Sequence, residues 1–540
     1  MTSRRARPAL IAAALLLCAP AAATAAVPAL PLSLPGDASA AGVDADRATW
    51  IVGARPGAAS ERLARRHAAR SLGTPGAYVI PRARARGFAD ALAAGHRLVY
   101  AQPDVLRAPR QTTRAFGNDP LDDLGGYRWR DHVVSPTTRP PARRKLIALV
   151  DATLDKSHPE FASGNVTTTG GHPVTNSHGT STASVAAAPQ NGIGFTGLWP
   201  GARALNVGLD DEISCSDSTR GILTAVKRGA SVINMSYGSP RFCTPEYLAL
   251  EVAVAHGIVP VAAAGNELAE GNPVEFPGAL PHVVTVGAVG PDDRATLFSN
   301  ANAAVDLSAP GECIPVAVPL GLAKDDTGCP DAPAGYDYES GTSFAAPMVS
   351  AAIAWIRAAR PSLKADQAAD VVRFSARDVG TKGYDGETGY GVLNVDRALA
   401  RPKTPHDPGE PNDGPALIDG SVIGRAQPFF FKGGRAGRRT ATVDLTEDPQ
   451  DWYRIEVPRR RSAHVTVRPG SGNADLAVRA LRTKGKRRSY PLVKRSAHPG
   501  GRRERLTLVN RSGRRELLFV GVQPGKGRRL DARYSLTVGR

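Results

Sequence analysis

The sequence predicts three folded parts in one chain of 540 residues. The central part is α/β, a parallel sheet with helices on both faces. A small α+β unit precedes it and an all-β sandwich follows. Three observations predict this. Between 145 and 400, short apolar runs such as "KLIALVD", "SVINMSYG" and "HVVTVGAV" alternate with helical stretches, as crossover-connected parallel strands do. From 48 to 103 the pattern reads strand, helix, strand, helix, strand. After a Pro-rich linker, runs such as "TATVDL", "AHVTVRPG" and "YSLTVG" alternate between Gly, Pro and Arg turns.

The elements follow in order. Arg4, Arg5 and Arg7 stand before an apolar run that ends in Ala23-Thr24-Ala25, which predicts a signal peptide over 1–25 and an exported, extracellular protein. Leu17 before Cys18 is too large for lipoprotein processing. No later stretch is apolar and long enough to span a bilayer. Residues 27–44 read as a linker. The α+β unit occupies 45–112, and after its last strand at 103 an arginine-studded connector follows, with Arg107, Arg110 and Arg114. The α/β domain occupies 117–400, with helices expected at 217–229 and 245–256. In such sheets chemistry gathers beyond the carboxyl ends of the strands, where Asp151, Gly238 and Asn266 stand. The linker is 401–414 and the sandwich 415–540.

Cysteine usage agrees with export. Besides Cys18 there are Cys215, Cys243, Cys313 and Cys329, an even number read as two disulfides, without the Cys-x-x-Cys spacing of a metal site. Sequence neighbours suggest Cys215–Cys243 and Cys313–Cys329, among three connectivities. Charge is uneven. Residues 402–540 hold 30 Lys and Arg against 13 Asp and Glu, +17 of the chain's +18. Such a unit suits an anionic cell-wall or matrix polymer, or is simply a well-solvated surface.

The chemistry begins at "NSHGTSTASVAA", where His178 heads a run of small side chains. Ser343, in "SGTSFAAP", opens another small-residue helix, where its N–H is unpaired and the helix dipole favours an anion. Pro347 is expected at or near the first turn, where it costs little hydrogen bonding. A serine nucleophile needs a base, and the base an orienting carboxylate. His178 and Asp151 are the candidates, and Asn266 in "VPVAAAGN" can donate its amide to a tetrahedral oxyanion.

The order Asp151, His178, Asn266, Ser343, within "LIALVD", "SHGTSTAS", "VPVAAAGN" and "SGTSFAAPMVSA", closely resembles the subtilisin-like serine peptidases, or subtilases, over residues 117 to 400. The resemblance implies a subtilisin-like fold and peptide-bond hydrolysis on protein or peptide substrates. Ser343 would be the nucleophile, His178 the base and then acid, and Asp151 its orienter. Asn266 and the Ser343 N–H would form the oxyanion hole. Ser236, Tyr237 and Gly238 would pair with the substrate backbone. Glu275, in "PVEFPGALP", falls where the family places the floor of the S1 pocket and would favour Lys or Arg at P1. Glu160 and Asn191 resemble ligands of the family's structural calcium site; no catalytic cofactor is implied.

The chain also departs from the family pattern. Asp151 is followed by Ala152 and Thr153, with Thr153 the candidate hydroxyl partner; Ser181 replaces a second histidine and Phe344 a methionine. Gly192-x-Gly194-x-x-Gly197 follows a helix and is no dinucleotide fingerprint. His158 and His172 read as structural. The unit at 45–112 resembles the subtilase propeptide, which assists folding and then inhibits with its C-terminal tail in the active site. Self-cleavage is expected between about 107 and 117, and a monomer is expected. The tail resembles the bacterial pre-peptidase C-terminal domain, where Glu410, Asn412 and Asp413 are candidate ligands. The competing reading is a weakly active or inactive subtilase that binds through its basic domain. An esterase is opposed by the lack of a Gly-x-Ser-x-Gly elbow around Ser343.

Overall fold

The computed structural model describes residues 49–540 except 105, 110–128, 136, 323–328, 330, 423, 445, 485–486 and 527–530. The signal peptide expected at 1–25, and much of the expected cleavage segment, lie outside the described residues. The chain divides into two units, one of Met1–Asp104 with Asp407–Arg540 and one of Val105–His406.

Within the first unit, β1 (Thr49–Ala54), β2 (Arg70–Ser71), β3 (Ala77–Pro81) and β4 (Leu98–Pro103) form an antiparallel sheet in the order β2-β3-β1-β4. Strand periodicity puts Trp50 and Val52 of β1 on one face, with Tyr78 and Ile80 of β3. There they meet Phe88 and Leu92 of the helix Arg82–Ala94.

The second unit opens with β5 (Leu106–Pro109), part of the expected connector. Its large sheet is built from β6 (Leu146–Ala152), β7 (Val166–Thr169), β8 (Arg203–Leu209), β10 (Val232–Met235), β12 (Val259–Ala263), β13 (Val284–Val289) and β14 (Leu307–Pro310). All seven are parallel, in the order β14-β13-β12-β10-β6-β8-β7. Alternate residues of β6 serve different layers. Ile147 and Leu149 pack with the helices His178–Ala187 and Thr342–Ala359. Ala148 and Val150 pack with Cys215–Lys227 and Thr244–Ala255. A strand covered on both faces must be apolar throughout, and β6 is buried along its whole length.

The two helices expected at 217–229 and 245–256 begin slightly earlier. The Ser214 hydroxyl accepts the Asp217 N–H as an N-cap, and Pro245 takes a first-turn position where its missing N–H costs nothing. Two short strands, β9 (Ile213–Ser214) and β11 (Tyr237–Gly238), flank β5 in a small separate sheet. The hairpin of β15 (Ile314–Ala317) and β16 (Tyr336–Glu339) leads into the Ser343 helix. Disulfides join Cys215 to Cys243 and Cys313 to Cys329, the pairing suggested by sequence neighbours.

The C-terminal part is a sandwich of two antiparallel sheets. One contains β17 (Gly437–Asp444), β19 (Ser462–Pro469), β24 (Glu504–Val509) and β26 (Asp531–Gly539), ordered β17-β26-β19-β24. The other contains β18 (Asp451–Val457), β20 (Ala474–Ala480), β23 (Leu492–Ser496) and β25 (Glu516–Pro524), ordered β18-β25-β20-β23. A small hairpin of β21 (Arg482–Lys484) and β22 (Arg487–Ser489) projects between β20 and β23 in sequence. Val443, Val465, Leu536, Ile455 and Val520 fill the interior. Among the described residues no helix is long and apolar enough to cross a membrane.

Candidate active site

Strand order assembles the site. β6, β10 and β12 are neighbours, so Asp151, the segment after Met235 and Asn266 emerge side by side at the carboxyl end of the sheet. The helix His178–Ala187 must then bring its first residue to Asp151. Gly179 allows this, because a side chain there would collide with the carbonyl of Ala152. The "small residues" after His178 are therefore a packing requirement, and every residue of that helix is buried.

His178 Nδ1 lies 2.6 Å from Asp151 Oδ1. The same carboxylate oxygen accepts the Ala152 N–H at 2.8 Å, and Oδ2 accepts the Thr182 hydroxyl at 3.0 Å. The expectation for Thr153 fails, since its hydroxyl turns to the Leu209 carbonyl. Thr182 was the residue to look for: four positions after His178, it shares that residue's helix face. Ser181 bonds the Ala317 carbonyl and ties the helix to β15. Burial pulls the His178 imidazole toward its neutral form, but the charge and hydrogen bond of Asp151 outweigh it and raise the pKa above the ordinary value. His178 Nε2 is buried without a partner.

Ser343 is the second residue of its helix, so its N–H has no carbonyl one turn back. Its hydroxyl donates to the Ser236 carbonyl at 3.1 Å, and the Ser236 hydroxyl donates to the Ser343 carbonyl at 2.8 Å. Pro347 explains the second bond. It lies in the second turn, later than expected, and its missing N–H would have bonded the Ser343 carbonyl. Ser236 satisfies that carbonyl and fixes the nucleophile's backbone. Asn266 Oδ1 accepts both the N–H and the hydroxyl of Thr342, at 2.9 and 3.0 Å. This locks the amide with Nδ2 buried and unpartnered.

The substrate-side residues divide by function. Tyr237 buries its ring in the core, so only the backbone of Tyr237 and Gly238 is at the edge. That edge pairs antiparallel with β5, Tyr237 opposite Pro109 and Gly238 opposite Ala108. Ser239 exchanges backbone hydrogen bonds with Phe276, which holds the neighbouring Glu275 in place. Glu275 is buried and stands beside Gly265, whose φ of 105° and crowding by Glu275, Glu267 and Asn300 exclude a side chain.

Two places could hold a cation. Glu160 is buried; Oε2 accepts the Tyr336 hydroxyl at 2.7 Å, Oε1 has no partner, and burial raises its pKa. Asn191 is exposed, with Oδ1 accepting the Ile193 N–H. The second place was not foreseen as a set. Asp407, Glu410, Asp448 and Asp451 each offer an oxygen within 4.8 Å of the others. Asp451 is fully buried with Oδ2 on the Tyr534 hydroxyl and Oδ1 unpartnered. Burial, then the neighbouring carboxylates, push Asp448 and Asp451 well above the ordinary range. Of the linker candidates, Glu410 joins this cluster, while Asn412 Oδ1 accepts the Trp452 N–H. His158 is structural as expected, its ring nitrogens bonding the Gly335 carbonyl and the Glu160 N–H. His172 lies 3.8 Å from Asp210 at the surface.

A parallel sheet with Asp151 and Asn266 beyond the carboxyl ends of its central strands, and with His178 and Ser343 opening helices packed on it, defines a subtilisin-like peptidase domain. The subtilase family profile matches residues 143–391. Subtilisin from Bacillus pumilus is 32% identical over 262 residues, 47% of this chain and 90% of the relative. Fervidolysin from Fervidobacterium pennivorans is 28% identical over 342 residues, 56% of this chain and 48% of the relative. The chain belongs to the subtilase family. It spans 48% of the length of fervidolysin and 65% of subtilisin E from Bacillus subtilis strain 168. The crystal structure of fervidolysin, described as a keratinolytic enzyme related to subtilisin, covers 85% of this chain at a TM-score of 0.53 and 18% identity, a likeness of fold.

Proposed function

We propose that the protein is an exported, self-processing serine endopeptidase. One observation carries the reading: among the described residues, the two side-chain atoms that acyl transfer needs, His178 Nε2 and Asn266 Nδ2, are buried and left open. On this reading the Ser343 hydroxyl leaves the Ser236 carbonyl and turns to His178 when substrate binds. The imidazole accepts its proton as the oxygen attacks the scissile carbonyl, and Asp151 stabilises the resulting imidazolium. Asn266 Nδ2 and the Ser343 N–H meet the developing oxyanion, and His178 returns the proton to the leaving amine. The fully bonded Asp151 favours the active reading over that of an inactive subtilase.

The pairing of β5 with β11 supports the inhibitory role of residues 45–112, since an extended substrate would add to the same edge. Glu275 supports a preference for Lys or Arg at P1. The two disulfides support export through the signal peptide at 1–25. A structural calcium ion is proposed at the four carboxylates of the sandwich, and another at Glu160 and Asn191, because a buried carboxylate oxygen without a donor suits a hard cation. A fluorophosphonate probe tests the central claim. It should label Ser343 in the mature protein, and absence of labelling in correctly folded protein would overturn it.

A further inference from the structure

The two outer faces of the C-terminal sandwich are unlike. That of β18-β25-β20-β23 is roofed by an apolar cluster of Ile418, Trp452, Tyr490 and Phe519. The outward face of β17-β26-β19-β24 is uncovered, and its rows follow from the strand register. One row runs Arg438, Thr537, Thr466, Arg505. The next runs Thr440, Ser535, Arg468, with Arg503 just before β24. Beside them Thr442 pairs with Arg533. The five arginines are exposed, and among the described residues none is paired with a carboxylate. Arg468 and Arg505 lie close enough to Arg503 to lower its pKa, which shows concentrated like charge.

The strand register puts acids on this face at one end, where Asp444 stands opposite Asp531. Glu504 is the acid of β24, and alternation turns it inward, where it is fully buried and bound by the Ser496 hydroxyl and the backbone and ring of His498. At one end, Asp444 spends its carboxylate on the N–H groups of its own turn. Cations and hydroxyls are therefore interspersed on a surface about 14 Å across four strands, with roughly 7 Å between rows along a strand.

We propose that this face binds a linear anionic polysaccharide, its arginines taking sulfate or carboxylate groups and its threonines and serine the sugar hydroxyls. The outward positions of the four strands carry no Phe, Tyr or Trp, so the face lacks the stacking platform of single-strand nucleic-acid binders. A broad sheet face also offers no helix or ribbon for a duplex groove. Guanidinium groups set out in rows match sulfate or carboxylate groups that repeat along a chain.

The test uses the full chain carrying Ser343→Ala, so that binding is measured apart from proteolysis and either reading can fail alone. Heparin is the probe, with uncharged dextran and duplex DNA as comparators at physiological salt. Heparin should bind and dextran should not. Arg468→Gln/Arg503→Gln/Arg505→Gln should weaken heparin binding at least tenfold. Arg459→Gln/Arg460→Gln/Arg461→Gln, which removes equal charge from the β18–β19 turn, should weaken it less than threefold. Should the first triple melt early, Arg438→Gln/Arg533→Gln supplies the same comparison from other strands, with at least a fivefold loss expected. Equal losses in face and turn variants, tighter binding of duplex DNA than of heparin, or no heparin binding would each overturn the proposal.

Discussion

Asp151 and Asp451 are both fully buried, and the two halves of the molecule treat them oppositely. In the α/β domain, Asp151 spends one oxygen on His178 and the Ala152 N–H and the other on Thr182. In the sandwich, Asp451 gives one oxygen to Tyr534 and leaves the other facing Asp407, Glu410 and Asp448. A buried carboxylate satisfied by its own chain can serve as a fixed charge for a neighbouring base. One left open among other carboxylates stays neutral or takes a cation from outside. On the function proposed above, the difference separates a site that acts on a substrate from one that supports the fold.

The largest expected effect tests whether the α/β domain is the reactive half. Ser343→Ala should lower kcat about 10^6-fold and stop maturation of the chain expressed alone. Maturation to the same N-terminus would show that another enzyme does the cutting. Asn266→Ala should cost about 10²- to 10³-fold in kcat, because the lost donor meets only the oxyanion, with little change in KM. Thr182→Val should cost about tenfold in kcat by releasing one oxygen of Asp151. Thr153→Val, by comparison, should leave kcat within twofold.

The comparison also makes a pH prediction. His178 must be neutral to accept a proton, and Asp151 holds its pKa above the ordinary value of about 6.5 despite burial. The acidic limb of kcat/KM should therefore have its midpoint above that value. Because the folded pKa is the higher one, the His178–Asp151 ion pair adds stability below about pH 6.5, lost as pH rises through the folded value. The smallest effect tests the sandwich. Calcium should raise its melting temperature by several degrees while changing kcat less than twofold, and Asp451→Asn should abolish the rise. A calcium response that survives Asp451→Asn would place the ion elsewhere, with Glu160 the next position to change.

Much of this was legible in the sequence because alternation and strand ends survive as patterns of residue type. The parallel sheet and the sandwich follow from such patterns, and Asp151, His178, Asn266 and Ser343 stood out as candidates at strand ends and helix starts. Contacts made by rotamer and by chain crossing were less legible. Thr182 could be found from its i+4 spacing to His178, whereas the Ser236–Ser343 exchange depends on which carbonyl Pro347 leaves open two strands away. The cluster of Asp407, Glu410, Asp448 and Asp451 is spread over 45 positions, and nothing local marks its members as neighbours.

If β11 is the peptide-binding edge, its pairing with β5 sets the terms on which any outside peptide reaches it. A strand tethered to the same chain competes at an effective concentration in the millimolar range, however weak its own contacts. Cutting that tether changes no contact, yet it turns a standing competitor into a dilutable one. Latency in the uncut chain would then be a property of connectivity, and activation would become sharper as the protein leaves a crowded compartment for a dilute one.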